Sequence, residues 1–119
     1  MKSNGNADNG VIFALTPNSN HTYWEAGVSY YFFFVSKGGN VMLGKVNNGN
    51  WLTCDEEVYQ NYDPYGTYNL KVEKNGSTIV GYVNGVKYIE YTDSSVLTGT
   101  GYGLRAGGIG VEFSNIKCN

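Results

Sequence analysis

The sequence predicts an all-β protein, an antiparallel two-sheet β-sandwich that forms a single domain over residues 1–119. Hydrophobic residues make up 41% of the chain, which suits one core and one domain. Eleven tyrosines favour strands, and seventeen glycines with abundant asparagine indicate tight turns. No stretch shows the sustained 3.6-residue apolar spacing of an amphipathic helix.

Nine apolar or alternating segments are predicted strands. In chain order they read GVIFALT, VSYYFFFVS, NVMLGKV, NWLTCDEEV, YNLKVEK, TIVGYVNG, VKYIEYTD, GYGLRAG and VEFSNIKC. Several of the connections carry Asn-Gly, as at Asn75-Gly76 and Asn84-Gly85. Because Asn-Gly readily adopts the positive φ angles of tight hairpin turns, we expect consecutive strands to pair as antiparallel hairpins.

The second predicted strand contains five aromatic residues in a row, Tyr30 to Phe34. Side chains alternate sides along a strand, so Tyr31 and Phe33 point one way while Tyr30, Phe32 and Phe34 point the other. Both faces are therefore apolar, and we expect this strand in the middle of a sheet. One face fills the core, and the other needs cover from a second layer, a partner or a ligand.

Charge and hydropathy exclude two classes of partner. Charged residues make up 15% of the chain, the net charge is -2, and no basic stripe occurs, so nucleic acid is not an expected partner. No apolar run is long enough to cross a bilayer, and the first ten residues lack the apolar centre of a signal peptide. If the protein is secreted, we expect its signal to lie outside this sequence.

Four segments resemble a known family: NGVIFAL, the run from Val28 to Trp51, the run from Tyr68 to Ser95, and LTGTGYGLRAGGIGVEFSNIKC. They resemble the concanavalin A-like, laminin-G-like jelly rolls of bacterial glycoside hydrolases, above all their fructan-binding carbohydrate-binding modules. The resemblance covers about residues 9–118. It implies a jelly roll outside the cell or on its surface that recognises carbohydrate without catalysis.

The chain departs from this family in two places. Relatives usually begin with one or two further strands, whereas only MKSNGNADN precedes GVIFAL. We therefore expect residues 1–8 to form a flexible tail, and we expect an open sheet edge near GVIFAL or VEFSNI that supports a homodimer. The second departure is Ala14, where relatives often carry arginine, so sugar binding that depends on that arginine must differ here.

Sugar recognition needs aromatic rings for the C–H faces of the sugar and polar groups for its hydroxyls. The predicted carbohydrate-binding residues are Trp24, Glu25, Tyr59, Tyr62, Asp63, Tyr65, Asp93 and Arg105. The tyrosines have an alternative role as caps on the sandwich end. Asp93 has one as a turn cap, and Arg105 has one as the partner of a carboxylate. Trp51 is predicted to belong to the edge of the core.

Calcium is common in this superfamily, and oxygen ligands suit that hard cation. Asn6, Asp8 and Asn9 are the predicted metal ligands, as a structural site beside a sugar-binding function that needs no cofactor. The set has one carboxylate, and a disordered N-terminal tail is the alternative interpretation.

Catalysis is not predicted. Glycosidases with this general fold use a Glu-x-Asp-x-x-Glu strand motif, which is missing from this sequence. The acidic cluster at 55–57 places consecutive carboxylates on opposite faces, and the single histidine, His21, has no partners that define a triad. The sequence therefore predicts a noncatalytic module that binds a polysaccharide or its terminal sugar. An accessory protein-interaction sandwich and a small glycoside hydrolase are the alternatives.

Overall fold

The computed structural model describes residues 1–3, 5, 8–16, 28–107 and 111–114. In these residues all regular structure is β, which confirms the predicted fold class, and no helix is long and apolar enough to cross a membrane. The eight strands are β1 (Asn9–Thr16), β2 (Ser29–Val35), β3 (Asn40–Asn47), β4 (Asn50–Val58), β5 (Leu70–Asn75), β6 (Thr78–Val83), β7 (Val86–Thr92) and β8 (Gly101–Ala106). The ninth predicted strand lies partly outside the described residues, and its described part contributes one isolated bridge at Glu112.

The strands form two antiparallel sheets, one with the order β4-β3-β2-β1-β8 and one with the order β5-β6-β7. Tight turns join the hairpins as predicted, with positive φ angles at Asn48 and Gly49 between β3 and β4. Strand β1 lies between β2 and β8, so the open edge that we predicted near GVIFAL is wrong. The described part of the chain instead leaves edges at β4, β8, β5 and β7.

Strand β2 is the centre of the larger sheet, and both of its faces are buried, as predicted. Tyr31 and Phe33 face the three-stranded sheet, where they pack with Leu43, Ile79 and Ile89. The sheets approach closely at one point, because a Cβ atom on Gly81 would lie 2.4 Å from the ring of Phe33. The opposite face of β2 packs into a second apolar cluster on the outer side of the larger sheet.

One buried ion pair links the two sheets. The Lys45 Nζ on β3 lies 2.7 Å from the Asp93 Oδ2 just after β7, and the Tyr31 hydroxyl donates to the same oxygen at 2.6 Å. Burial raises the pKa of Asp93, but hydrogen bonds from Lys45, Tyr31 and the Ser95 N–H outweigh it and leave this pKa below its ordinary value. Asp93 therefore stays ionised inside the sandwich.

The first residues are not a free tail. The Met1 amino group donates to the Tyr68 carbonyl, and the Tyr68 N–H donates to the Met1 carbonyl. Lys2 exchanges two backbone hydrogen bonds with Glu112, and the Ser3 N–H donates to the Gly66 carbonyl. The predicted flexibility of residues 1–8 is thus wrong at residues 1–3, because backbone pairing on both sides holds them.

Removal of the Asp93 carboxylate should destabilise the fold strongly, because the Lys45 ammonium then remains buried without its counter-charge. We expect Asp93→Ala to lower the free energy of unfolding by about 3–5 kcal/mol, measured by urea denaturation. The double variant Lys45→Met/Asp93→Leu is the control, because it removes both charges, and it should recover most of the loss. A loss below about 1 kcal/mol in the single variant would contradict a buried ion pair at this position.

The same carboxylate predicts a pH dependence. A pKa that is lowered by folding gives stability that is fully present above the ordinary value of 3.8 and is lost as the pH falls through the folded value. The stability difference between the wild type and Asp93→Asn should therefore be constant at neutral pH and should shrink below about pH 4. Urea unfolding of both proteins across this range measures it, and a difference that grows on acidification would contradict the assignment.

Candidate carbohydrate-binding surface

The outer face of the larger sheet carries an open depression of about 440 Å³. Its lining residues come from β2, β3, β4 and β8 and from the position just before β1, and they are Asp8, Phe32, Phe34, Met42, Trp51 and Arg105. The floor is aromatic, because Phe32 and Phe34 stack with ring centres 4.2 Å apart. We call this set of six residues the outer-face site.

Trp51 is the exposed ring of the outer-face site. Its side chain is on the edge strand β4 and is 40% exposed. The six-membered part of the indole lies over Gly44 on β3, where a Cβ atom would come within 1.9 Å of the ring. The indole N–H donates to the Thr53 hydroxyl at 3.2 Å, and Phe34 meets the ring edge-on at 6.0 Å. Trp51 is therefore held against the sheet with part of its ring in solvent.

Arg105 supplies the positive charge of the site. Its guanidinium carbon lies 5.0 Å from the ring centre of Phe32, a cation–π geometry that places the group beside the aromatic floor. Two of the carboxylates that we considered as partners of Arg105 pair elsewhere, since Asp93 pairs with Lys45 and Glu90 with Lys87. A guanidinium at this position can donate to two neighbouring hydroxyl oxygens or to a carboxylate.

Asp8 adds a carboxylate to the same site, although the sequence placed it in a calcium set. Its Oδ1 accepts the Lys37 N–H at 2.8 Å. The neighbouring Asn9 is buried, and its amide is used within the fold, with Oδ1 accepting the Gly107 N–H and Nδ2 donating to Ser3. Asn6 lies outside the described residues. Within those residues no group of three or more His, Cys, Asp or Glu is placed to hold a metal ion, and the calcium site stays a prediction.

The predicted tyrosine loop caps one end of the sandwich. Tyr59 is buried and meets two other tyrosine rings edge-on. Tyr62 is half-buried, and burial raises its pKa. The backbone of Asp63 bonds the Tyr68 hydroxyl through both its N–H and its carbonyl, while its side chain accepts the Tyr65 N–H. Tyr65 alone of these residues presents a largely exposed ring, at 63%.

The predicted residues are thus spread over different parts of the molecule. Arg105 and Asp8 meet in the outer-face site, the tyrosine loop lies elsewhere, and Trp24 and Glu25 fall outside the described residues. Asp93 is 6% exposed with both carboxylate oxygens accepting hydrogen bonds, so we leave it out of the candidate site.

Sequence reasoning missed Trp51 as a binding residue and missed the aromatic floor. The available signal was Gly44, because a glycine inside a predicted strand indicates the close approach of another group.

Ala14 lies on the inner side of the sheet. It is buried in the core cluster that faces the three-stranded sheet, and its φ of 52° coincides with a shift in the register of β1. A small side chain suits this strained bulge. The position where family members often carry arginine therefore faces away from the outer-face site in this chain.

Comparison with known proteins supports the fold. No family model matches the chain, and no curated protein is significantly similar to it in sequence. Among solved structures, the carbohydrate-binding module CBM66 from Bacillus subtilis is similar, with a TM-score of 0.66, 20% sequence identity and coverage of 87% of this chain. The chain spans 58% of the length of that structure. This likeness shows a shared β-sandwich fold.

Gly44→Ala should displace the indole of Trp51, because the new methyl group would occupy the position of the ring. We expect the indole N–H resonance of Trp51 to shift in a ¹⁵N NMR spectrum, where Trp51→Phe identifies it by its loss. Gly103→Ala is the matched control, because a Cβ atom there meets nothing within 4 Å. An unchanged Trp51 resonance in Gly44→Ala would show that the ring does not rest on β3.

Proposed function

We propose that this chain is a noncatalytic carbohydrate-binding module and that the outer-face site binds the sugar. The observation that carries the proposal is the partly exposed indole of Trp51 over Gly44, beside the charged groups of Arg105 and Asp8. An aromatic ring suits the C–H face of a sugar, and a guanidinium and a carboxylate suit its hydroxyls as donor and acceptor. The depression is large enough for contact with a short stretch of a glycan.

The finer parts of the proposal concern the ligand and the setting. We propose that the ligand is a polysaccharide or its terminal sugar, with fructan as the first candidate. We also propose that the module works outside the cell or on its surface, as an accessory domain of a bacterial glycan-degrading system. The resemblance of the sequence segments and the similar fold of CBM66 support this reading.

The acidic cluster on β4 supports a role without catalysis. The Asp55 Oδ1 accepts the Glu56 N–H, and the Glu56 Oε1 accepts the side-chain amide of Asn40. Both carboxylates therefore make local hydrogen bonds. Glycoside cleavage instead needs two carboxylates that converge on one bond at a defined separation.

Gel electrophoresis through immobilised polysaccharide tests the function directly. We expect the intact chain to be retarded by at least one of levan, inulin, xylan or a β-glucan, and to release no reducing sugar from it. Retardation by none of them, together with capture by a protein partner, would favour the accessory-interaction alternative. Release of reducing sugar would favour the hydrolase alternative.

Trp51→Ala should weaken binding to the retarding polysaccharide by about 1–3 kcal/mol, the scale of losing an aromatic anchor from an interface. The matched control is Leu52→Ala, because Leu52 is the next residue, is 54% exposed and does not line the outer-face site. The same gels give the relative affinities. If Tyr65→Ala weakens binding and Trp51→Ala does not, the sugar binds at the tyrosine loop instead.

Arg105→Lys should also weaken binding, because lysine keeps the charge but loses the planar fork that donates two hydrogen bonds at once. Affinity gels and thermal unfolding should be measured on the same preparations. Weaker binding with unchanged stability is the expected result. Lower stability with unchanged binding would assign Arg105 a purely structural role.

A further inference from the structure

A second depression lies on the inner side of the larger sheet, away from the outer-face site. It measures about 1080 Å³ and separates β1 and β8 from the edge strand β5. Its apolar lining includes Val11 and Phe13 on β1, Leu104 on β8, and Leu70 and Val72 on β5. The three-stranded sheet ends at β5, so in the described part of the chain β1 and β8 extend past its cover. We call this depression the inner groove.

The backbone of β5 also lacks a partner on the groove side among the described residues, because β5 pairs only with β6. Tyr68 and Met1 exchange both backbone hydrogen bonds on that side. Backbone groups of an antiparallel strand alternate in direction, so the N–H and C=O groups of Leu70, Val72 and Lys74 point to the same side. Such a row of unpaired groups is a template for another strand.

One end of the inner groove already holds an extended segment. Residues 1–3 run antiparallel to residues 66–68, and on the other side Lys2 exchanges hydrogen bonds of 2.7 and 3.0 Å with Glu112. The slot between the two neighbours is therefore one strand wide. Beyond Met1 the same slot continues along β5, between its open backbone edge and the apolar wall of β1 and β8.

We propose that the inner groove binds an extended peptide segment of a partner polypeptide, which adds to β5 as an antiparallel strand. Backbone hydrogen bonds give such a strand its affinity, and alternate apolar side chains reach the wall of the groove. Charges on β5 add specificity, because Lys71, Glu73 and Lys74 are exposed and favour opposite charges on the incoming strand.

A second copy of this chain does not fit this groove. Strands of one sheet lie about 4.8 Å apart, and a second β5 would bring its own β1 and β8 with it. In both copies β1 and β8 extend past β5, so the larger sheets would collide before the two β5 edges could pair. A single strand is therefore the occupant, and it replaces the homodimer edge that we predicted from the sequence.

The test uses the whole chain and the acetylated peptide Glu-Lys-Val-Glu-Val-Thr as a probe. Aligned antiparallel to β5, the peptide sets its glutamates against the two lysines, its lysine against Glu73, and its valines against Val72 and Leu70. Amide hydrogen exchange is followed by NMR. We expect exchange at the amides of Leu70, Val72 and Lys74 to slow by about tenfold or more. The amides of Lys71 and Glu73, which face β6, should not change.

Two controls separate strand addition from other contacts. Val72→Pro removes the central donor on the open edge without removing a donor to β6, and it should abolish protection by the peptide. Val72→Ala keeps that donor and should retain the protection. An unchanged Trp51 indole resonance shows that each variant is folded. The peptide Glu-Lys-Pro-Glu-Pro-Thr should protect none of these amides.

Three results would overturn the proposal. The first is that the free peptide slows none of the edge amides. The second is that the peptide protects them only when it is joined ahead of Met1, since the groove would then take a strand from its own polypeptide. The third is that they are already protected without peptide in a species that light scattering identifies as a dimer. Sugar binding at the outer-face site is independent of all three.

Discussion

The fold depends on one strand that is apolar on both faces. Strand β2 cannot leave either face in water, so each face requires a covering layer. The three-stranded sheet covers the inner face around Tyr31 and Phe33. On the outer face, Trp51 and Arg105 lie against the rings of β2. The side chains that cover the outer face are thus the ones that we propose for sugar binding, so the packing of β2 and the candidate function share one cause.

The two kinds of interaction between the sheets contribute differently. Burial of each large apolar side chain contributes about 1.5–3 kcal/mol, so the aromatic core accounts for most of the stabilisation. The buried pair of Lys45 and Asp93 adds little net energy relative to apolar residues of the same size, because its desolvation offsets its attraction. Its hydrogen bonds to Tyr31 and to the Ser95 carbonyl instead tie β2, β3 and the end of β7 to one another.

Local patterns predicted the strands, and long-range pairing decided the site. Alternation of side chains and Asn-Gly turns are properties of neighbouring residues, and they predicted the all-β fold and the central position of β2. The partner of Asp93 is Lys45, 48 residues away, and no local pattern links them. Trp51 likewise became part of the site only through Gly44 on the next strand. The backbone pairing of residues 1–3 was also hidden, because polar, glycine-containing segments usually indicate a tail.

A crystal structure of the chain with an oligosaccharide from the most strongly retarding polysaccharide tests the central claim most directly. The account predicts a sugar ring whose carbon atoms lie within about 4 Å of the Trp51 indole, with hydroxyls hydrogen-bonded to Arg105 or Asp8. A sugar stacked on Tyr65, with the outer-face site empty, would contradict it.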